Sequence, residues 1–237
     1  MRTLIAQAWQ RLNSRTIGTD LYWSIALQNA SLYANTEPLI ARYVSGRTLD
    51  IGAGKLAWRS TLKRHCERYL SGDLTREHRN IDVLFDATKP FPFADESFDT
   101  LFCHSVLEHC QEPWNALPEM WRTLTPGGVA IVSVPFVFYL HGQPHDYYRF
   151  SRYGLSYLAR RAGFEVTEVV IDGGIVHLIL NVPSVLLSSL LSALGLTRLV
   201  RPVTRFWLSV ARGLSGRLDQ DGLFAMNHIA VLRKPAT

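Results

Sequence analysis

Seven short apolar runs recur along the chain, separated by segments with helical periodicity. The runs are Thr48 to Ile51, Arg68 to Gly72, Ile81 to Phe85, Phe98 to Cys103, Val129 to Val134, Phe164 to Asp172 and Phe224 to Arg233. Aliphatic and β-branched residues bounded by Gly, Pro or Asp predict strands, and their alternation with helices predicts a buried, mainly parallel sheet. Residues 3–13 and 20–45 read as helices, the second from the spacing of Leu27, Ala30, Leu32, Tyr33, Leu39, Ile40 and Tyr43. Pro38 is expected at a helix start, with Thr36 as its cap. Further helices are predicted over Lys55 to Cys66, Pro113 to Thr123 and Ser151 to Ala162. Thr125-Pro126-Gly127-Gly128 stops the second of these; Ser151 caps the third and Gly163 ends it.

The first three runs each lead into an acid. Asp50 precedes Ile51-Gly52-Ala53-Gly54, Asp73 follows Gly72, and Asp86-Ala87-Thr88 follows Phe85. Open α/β sheets bind ligands at the carboxyl ends of their strands. Gly52 and Gly54 lack Cβ, so the backbone there can turn sharply and lie against a ligand. A plain tight turn produces the same G-x-G, and the third glycine of a dinucleotide fingerprint is replaced by Ala57. A carboxylate at the second strand end suits both hydroxyls of a ribose, or caps a helix. Asp86 suits an exocyclic adenine amine, with Ala87 leaving room for the ring. Pro90 and Pro92 place the segment up to Asp99 in a loop.

Charge changes the picture at one place. The net charge is +5, yet from Gly173 to Leu218 there is no Asp or Glu and there are five arginines, Arg198, Arg201, Arg205, Arg212 and Arg217, so the rest of the chain balances to zero. The basic character therefore belongs to one segment and not to a nucleic-acid-binding surface. Within it, Ile175 to Leu196 is almost uncharged and long enough to cross a bilayer. His177, Asn181, Pro183 and four serines lower its hydrophobicity, and it lies between two strands of one sheet, which argues against a span. Gly195 breaks it, and a basic helix from about Pro202 to Gly213 follows. The segment reads as a lid, a dimer contact or an interfacial pair of helices on anionic lipid. Cys66, Cys103 and Cys110 form an odd set without a C-x-x-C pair, expected to be free thiols in a reducing compartment. Met1 to Arg15 lacks the features of a signal peptide, so the expected location is cytoplasmic, with the inner membrane face as an alternative.

The ordered set D-I-G-A-G, Asp73, Asp86-Ala87-Thr88, P-F-x-x-E-S-F-D, V-L-E-H and L-T-P-G-G resembles the class I S-adenosylmethionine-dependent methyltransferases, over roughly residues 28 to 172. The resemblance implies a three-layer, doubly wound Rossmann-like α/β fold. Its seven-stranded sheet would be mainly parallel with an antiparallel last strand. It implies S-adenosylmethionine as cofactor. Asp50, Gly52 and Gly54 would serve its methionine and ribose side, Asp73 with Leu74 the ribose, Asp86 with Ala87 the adenine, and His104 the neighbourhood of the transferred methyl. The division expected is 1–46 as helices covering the cofactor site, 47–172 with 219–237 as the catalytic domain, and 173–218 as a helical insertion. The cofactor carries an activated leaving group, so catalysis can be largely alignment of the acceptor.

Phe136 to Phe150, after the fifth strand, is an aromatic loop holding His141, His145, Asp146 and Arg149. Stacked aromatics with a few polar groups suit a sugar or another hydroxylated ring. His141 or His145 is the candidate general base, with Asp146 as orienter; structural hydrogen bonding is the alternative. Arg149 pairs an acidic acceptor or Asp146, and His109 reads as structural. No metal is expected, because Pro144 argues against the helix on which the two loop histidines would share a face. The function expected is O-methylation of a small molecule or glycan, such as a surface-polysaccharide sugar or a lipid-linked precursor. Methylation of a lipophilic ring such as a quinone precursor is the alternative, and a methyltransferase-like binding module the non-enzymatic one. Expected partners are the acceptor, no nucleic acid, and a membrane or second subunit through residues 173–218.

Overall fold

The computed structural model of the protein describes residues 4–76 and 78–236. Its strands are β1 Arg47–Ile51, β2 Arg68–Asp73, β3 Val83–Leu84, β4 Phe98–His104, β5 Leu124–Pro135, β6 Glu165–Gly173 and β7 Ala225–Arg233. They form one seven-stranded sheet in the order β3-β2-β1-β4-β5-β7-β6. β1 runs parallel to β2 and β4, β2 to β3, and β4 to β5, whereas β7 is antiparallel to β5. The mixed α/β sheet expected of the resemblance is therefore present. Strand order reverses between β1 and β4, which opens a crevice at their carboxyl ends.

Two compact units divide the chain. One joins residues up to Asn35 with Asp172–Met226; the other joins Thr36–Ile171 with the residues from Asn227 onward. In the second unit, Leu49, Leu101 and Ala130 of the central strands form one core with Leu117 and Met120 of α4 (Pro113–Thr123) and Leu155 and Ala159 of α5 (Arg152–Arg161). These side chains are fully shielded, as both-face burial of a parallel sheet demands. Ser151 caps α5 by accepting from Gly154 N–H at 3.1 Å, and Gly163, at φ +98°, follows its end.

The first unit contains α1 (Leu4–Thr16), the start of α2 (Leu27–Tyr43), α6 (Ile175–Ala193) and α7 (Val200–Leu218). Within this unit, polar side chains tie the N-terminal residues to the segment after β6. Ser184 Oγ and Asn181 Oδ1 accept the first amides of α2, from Leu27 at 3.0 Å and Gln28 at 3.1 Å. Those amides have no partner inside their own helix. Asp172 accepts from Ser31 at 2.7 Å and Asn35 at 2.8 Å, and Asp219 accepts the Ile175 N–H that opens α6 at 3.1 Å.

The polarity of α6 is inverted. His177, Asn181, Ser184, Ser188 and Ser189 are buried, whereas Ile179, Val182, Leu186 and Leu190 are exposed. By length and composition α6 is also the one helix among the described residues that could cross a membrane.

Four local expectations are corrected. Pro38 lies inside α2 and Thr36 is no cap; its buried Oγ1 has no hydrogen-bond partner among the described residues. Leu39 and Ile40, which follow it in the helix, are buried. Of Lys55 to Cys66 only α3 (Arg59–Leu62) is helical, since Leu56 turns the chain at φ +62°. Ile81 to Phe85 shortens to Val83–Leu84, because the Asp82 carboxylate takes the Ser71 N–H at 2.9 Å. β5 begins five residues earlier than expected, at Leu124, with a register shift opposite Phe98 and Thr100.

Candidate active site

A cavity of about 460 Å³ lies at the carboxyl ends of β1, β2 and β4 within the second unit. Gly52, Asp73, Leu74, Asp86 and Ala87 line it. Gly52 takes φ +66°, and a Cβ there would stand 2.3 Å from Val106 Cγ2, so only glycine lets the β1 turn pass that side chain. The Gly54 N–H donates to Asp73 Oδ2 at 2.7 Å, and the Thr75 N–H donates to Asp73 Oδ1 at 3.1 Å. One carboxylate thus fixes the glycine turn and its own loop, and keeps further lone pairs for a ligand. Asp86 Oδ1 is held by the Thr88 N–H at 2.8 Å and the Thr88 hydroxyl at 2.7 Å.

Asp50 and His104 do not line this cavity, and Gly54 reaches it only through Asp73. Asp50 is buried beneath the turn and accepts from the Tyr69 hydroxyl at 2.7 Å. Burial pushes its carboxyl up to about 7; the Tyr69 bond opposes the rise and the Asp73 charge adds to it. The His104 ring lies 5.2 Å from Trp58 and 6.0 Å from Phe102, between centroids. Burial lowers its pKa to about 4, so it is neutral near pH 7. His104 Nε2 and the hydroxyl of its register partner Ser133 have no hydrogen-bond partner among the described residues.

The aromatic loop divides its candidates. His145 lines the cavity, with Nδ1 2.9 Å from the Tyr147 hydroxyl. His141 and Asp146 are not on the lining. Asp146 binds Arg149 through two contacts, 2.6 and 2.8 Å, and accepts the His141 backbone N–H at 2.8 Å. Those bonds hold its carboxyl well below the ordinary range, so Asp146 anchors the loop as an anion. Its closest approach to the His141 ring is 3.5 Å. Arg149 thereby pairs Asp146, one of the two roles considered for it.

Glu108, within the V-L-E-H motif, is the residue the sequence reading passed over. It is fully buried, and neither carboxylate oxygen has a hydrogen-bond partner among the described residues. His141 Nε2 stands 3.6 Å and His109 Nε2 3.9 Å from Oε1. The facing carboxylate raises the His141 pKa against the effect of its burial. His109, read as structural, lines the cavity.

Residues 49–132 match the methyltransferase domain family. Over those residues the chain is similar to the methyltransferase domain family, in keeping with the resemblance to class I S-adenosylmethionine-dependent methyltransferases. An uncharacterized methyltransferase of Mycobacterium avium (strain 104) is 34% identical over 100 residues, covering 38% of this chain and 40% of the relative. An uncharacterized protein of Methanocaldococcus jannaschii is 27% identical over 110 residues, covering 45% and 54%. The chain thus spans about two fifths to about half the length of these curated relatives. Among solved structures, the [4+2]-cyclase SpnF superposes with TM-score 0.59 at 19% identity, covering 89% of this chain and 82% of that one. A Haloferax volcanii methyltransferase, solved with its Trm112 activator, gives 0.57 at 16%, covering 99% of both. At such identities the likeness concerns the fold, and a cyclase on the same fold shows that the chemistry lies in the site. The residues around this cavity fit S-adenosylmethionine. Two strand-end carboxylates face a cavity of ligand size, beside a glycine turn that a Cβ would close.

Proposed function

We propose that this domain moves the methyl group of S-adenosylmethionine to a hydroxyl oxygen of a small, hydroxylated acceptor, a glycan or its lipid-linked precursor. One observation carries the reading: His145 and Tyr147 of the aromatic loop line the same cavity as Asp73 and Asp86. Asp73 accepts from the ribose and Asp86 from the adenine amine, which fixes the cofactor at one end. The loop then supplies a ring for stacking and an imidazole beside it. The cofactor brings the activated methyl group. With the cofactor bound, the forming acceptor O–CH₃ bond would replace the S–CH₃ bond, whose electron pair would stay on sulfur, and the hydroxyl proton would pass to the His145 imidazole on the cavity wall. Alignment over a short distance supplies the remainder of the acceleration. Incubating the chain with methyl-labelled cofactor and extracted glycans, lipids and quinones tests the reading. Label in a hydroxylated glycan or lipid-linked sugar supports it. Transfer only to quinone-like rings, or cofactor binding without transfer to any extract, refutes it.

The acceptor's lipid anchor is supported by α6 and α7. The exposed stripe of Ile179, Val182, Leu186 and Leu190 occurs in a segment with five arginines and no acid, which suits an anionic membrane surface. Phe206, 64% exposed, and Leu218, 69% exposed, add apolar surface on α7. Each arginine near such a surface contributes about 1 kcal/mol. Replacing Arg198, Arg201 and Arg205 by glutamine should therefore weaken sedimentation with anionic vesicles roughly 100-fold at low salt. A wild type that ignores vesicles and instead dimerises, or stays monomeric, would remove the membrane contact from the proposal.

A further inference from the structure

The geometry points to a divalent transition-metal site formed by Glu108, His109 and His141. Their donor atoms all lie within 4.8 Å of one another. Glu108 and His109 belong to one 3-10 turn, Leu107–His109, and His141 comes from the loop after β5.

Proton positions carry the inference. His109 Nδ1 lies 2.5 Å from the His145 carbonyl oxygen, so that nitrogen bears the proton and donates. The lone pair of a neutral His109 is then on Nε2, the atom 3.9 Å from Glu108 Oε1. His141 Nδ1 likewise faces two acceptors, the Tyr139 carbonyl at 3.4 Å and Asp146 Oδ2 at 3.5 Å. Its Nε2 turns to the same Oε1 at 3.6 Å. Two imidazole lone pairs therefore converge on a carboxylate that is wholly removed from water and has no hydrogen-bond partner among the described residues. Acceptors facing acceptors repel, and a buried bare carboxylate is costly. One added proton would relieve only one of the two contacts; a cation between the three atoms relieves both.

The surroundings hold these rings as metal ligands are usually held, through the nitrogen that does not ligate. Gly142 takes φ +63°, and a Cβ there would stand 2.6 Å from His109 Cε1, so the loop closes tightly over that ring. Asp146 and Arg149 fix the backbone at His141. The backbone amide of Tyr147 donates to the Glu108 carbonyl at 2.8 Å and ties loop to turn.

Two imidazoles with one carboxylate favour Zn²⁺, Mn²⁺, Fe²⁺ or Co²⁺ over Mg²⁺ or Ca²⁺, which prefer oxygen donors. Donor atoms around tetrahedral zinc, at about 2.0–2.1 Å from the ion, stand roughly 3.4 Å apart. The two Glu108–histidine distances are close to that before any ion draws them in. Three protein ligands leave a position for water or an acceptor oxygen, and His109 also lines the cavity. This last role rests on the proposed O-methylation; the binding of the ion does not.

The test uses the full chain, stripped with chelator and titrated with ZnCl₂ or MnCl₂ by calorimetry, with metal content measured after desalting. One ion per chain is expected, with at least a 100-fold loss of affinity in both Glu108→Gln and His141→Ala. Glu108→Gln also separates the site from a structural role. Removing a bare buried charge should raise the thermal midpoint of the metal-free protein and abolish the further rise that metal gives the wild type. No uptake by the wild type, or uptake unchanged in both variants, overturns the site. Cofactor affinity and methyl transfer measured on the same samples report on the proposed function separately.

Discussion

Asp73 allows the cofactor assignment to be tested by one substitution whose local cost is calculable. Its Oδ1 takes the Thr75 N–H, two residues on, and its Oδ2 takes the Gly54 N–H. In Asp73→Asn the side-chain carbonyl can retain the Thr75 bond, as in an ordinary Asx turn. The new NH₂ then faces the Gly54 N–H, donor against donor, and the charge offered to the ribose diol is gone. Each hydrogen bond to a charged acceptor is worth about 1.5–3 kcal/mol, so the affinity for cofactor should fall roughly 10- to 150-fold. Calorimetry should be run with both S-adenosylmethionine and S-adenosylhomocysteine. The two share the ribose and differ in the sulfonium charge, so a ribose contact weakens both equally. A loss confined to S-adenosylmethionine would mean that Asp73 acts on the sulfonium through space. Unchanged affinity for both ligands would refute the assignment of Asp73 to the cofactor.

Gly52→Ala should lower stability by about 2 kcal/mol or more in chemical denaturation and abolish cofactor binding, since the added methyl meets Val106 in a left-handed turn. Asp146→Asn should cost about 2 kcal/mol at pH 7, because it unpairs Arg149 and loosens the His141 amide. The folded Asp146 carboxyl titrates below its unfolded value near 3.9, so its stabilisation is present above that pH and disappears as pH falls. The gap between wild type and variant should accordingly narrow in thermal melts taken from pH 5 to pH 2; a constant gap would contradict the ion pair. Ser184→Ala should cost about 1 kcal/mol and speed hydrogen exchange at Leu27, whose amide it leaves without an acceptor.

Much of the second unit was legible because its signals are local. Asp73 and Asp86 close short apolar runs, and a strand end needs no partner to be recognised. Pro113 and Ser151 mark α4 and α5 for the same reason, since each sits next to the amides it spares or caps. Leu56 shows the limit: its left-handed turn is imposed by the glycine loop, not by its own propensity, and it cancels the first half of an expected helix. Glu108 was illegible because its meaning depends on His141, which reaches it from a different loop. The polarity of α6 was hidden for another reason. Composition gives the number of serines and leucines, but which face turns inward is decided by the bare amides of α2.

That seam of hydrogen bonds makes α6 a helix that cannot roll. Turning it about its own axis would submerge Ile179, Val182, Leu186 and Leu190, a gain of apolar burial that unaided collapse would favour. The same rotation would strip Leu27 and Gln28 of their acceptors and carry Ser184 and Asn181 out to water. A greasy seam could slide by a turn at little cost, whereas a directional one has a single register. Substituting Asn181 and Ser184 together by alanine removes both acceptors, so the register of α6 should loosen and hydrogen exchange at Leu27 and Gln28 should quicken.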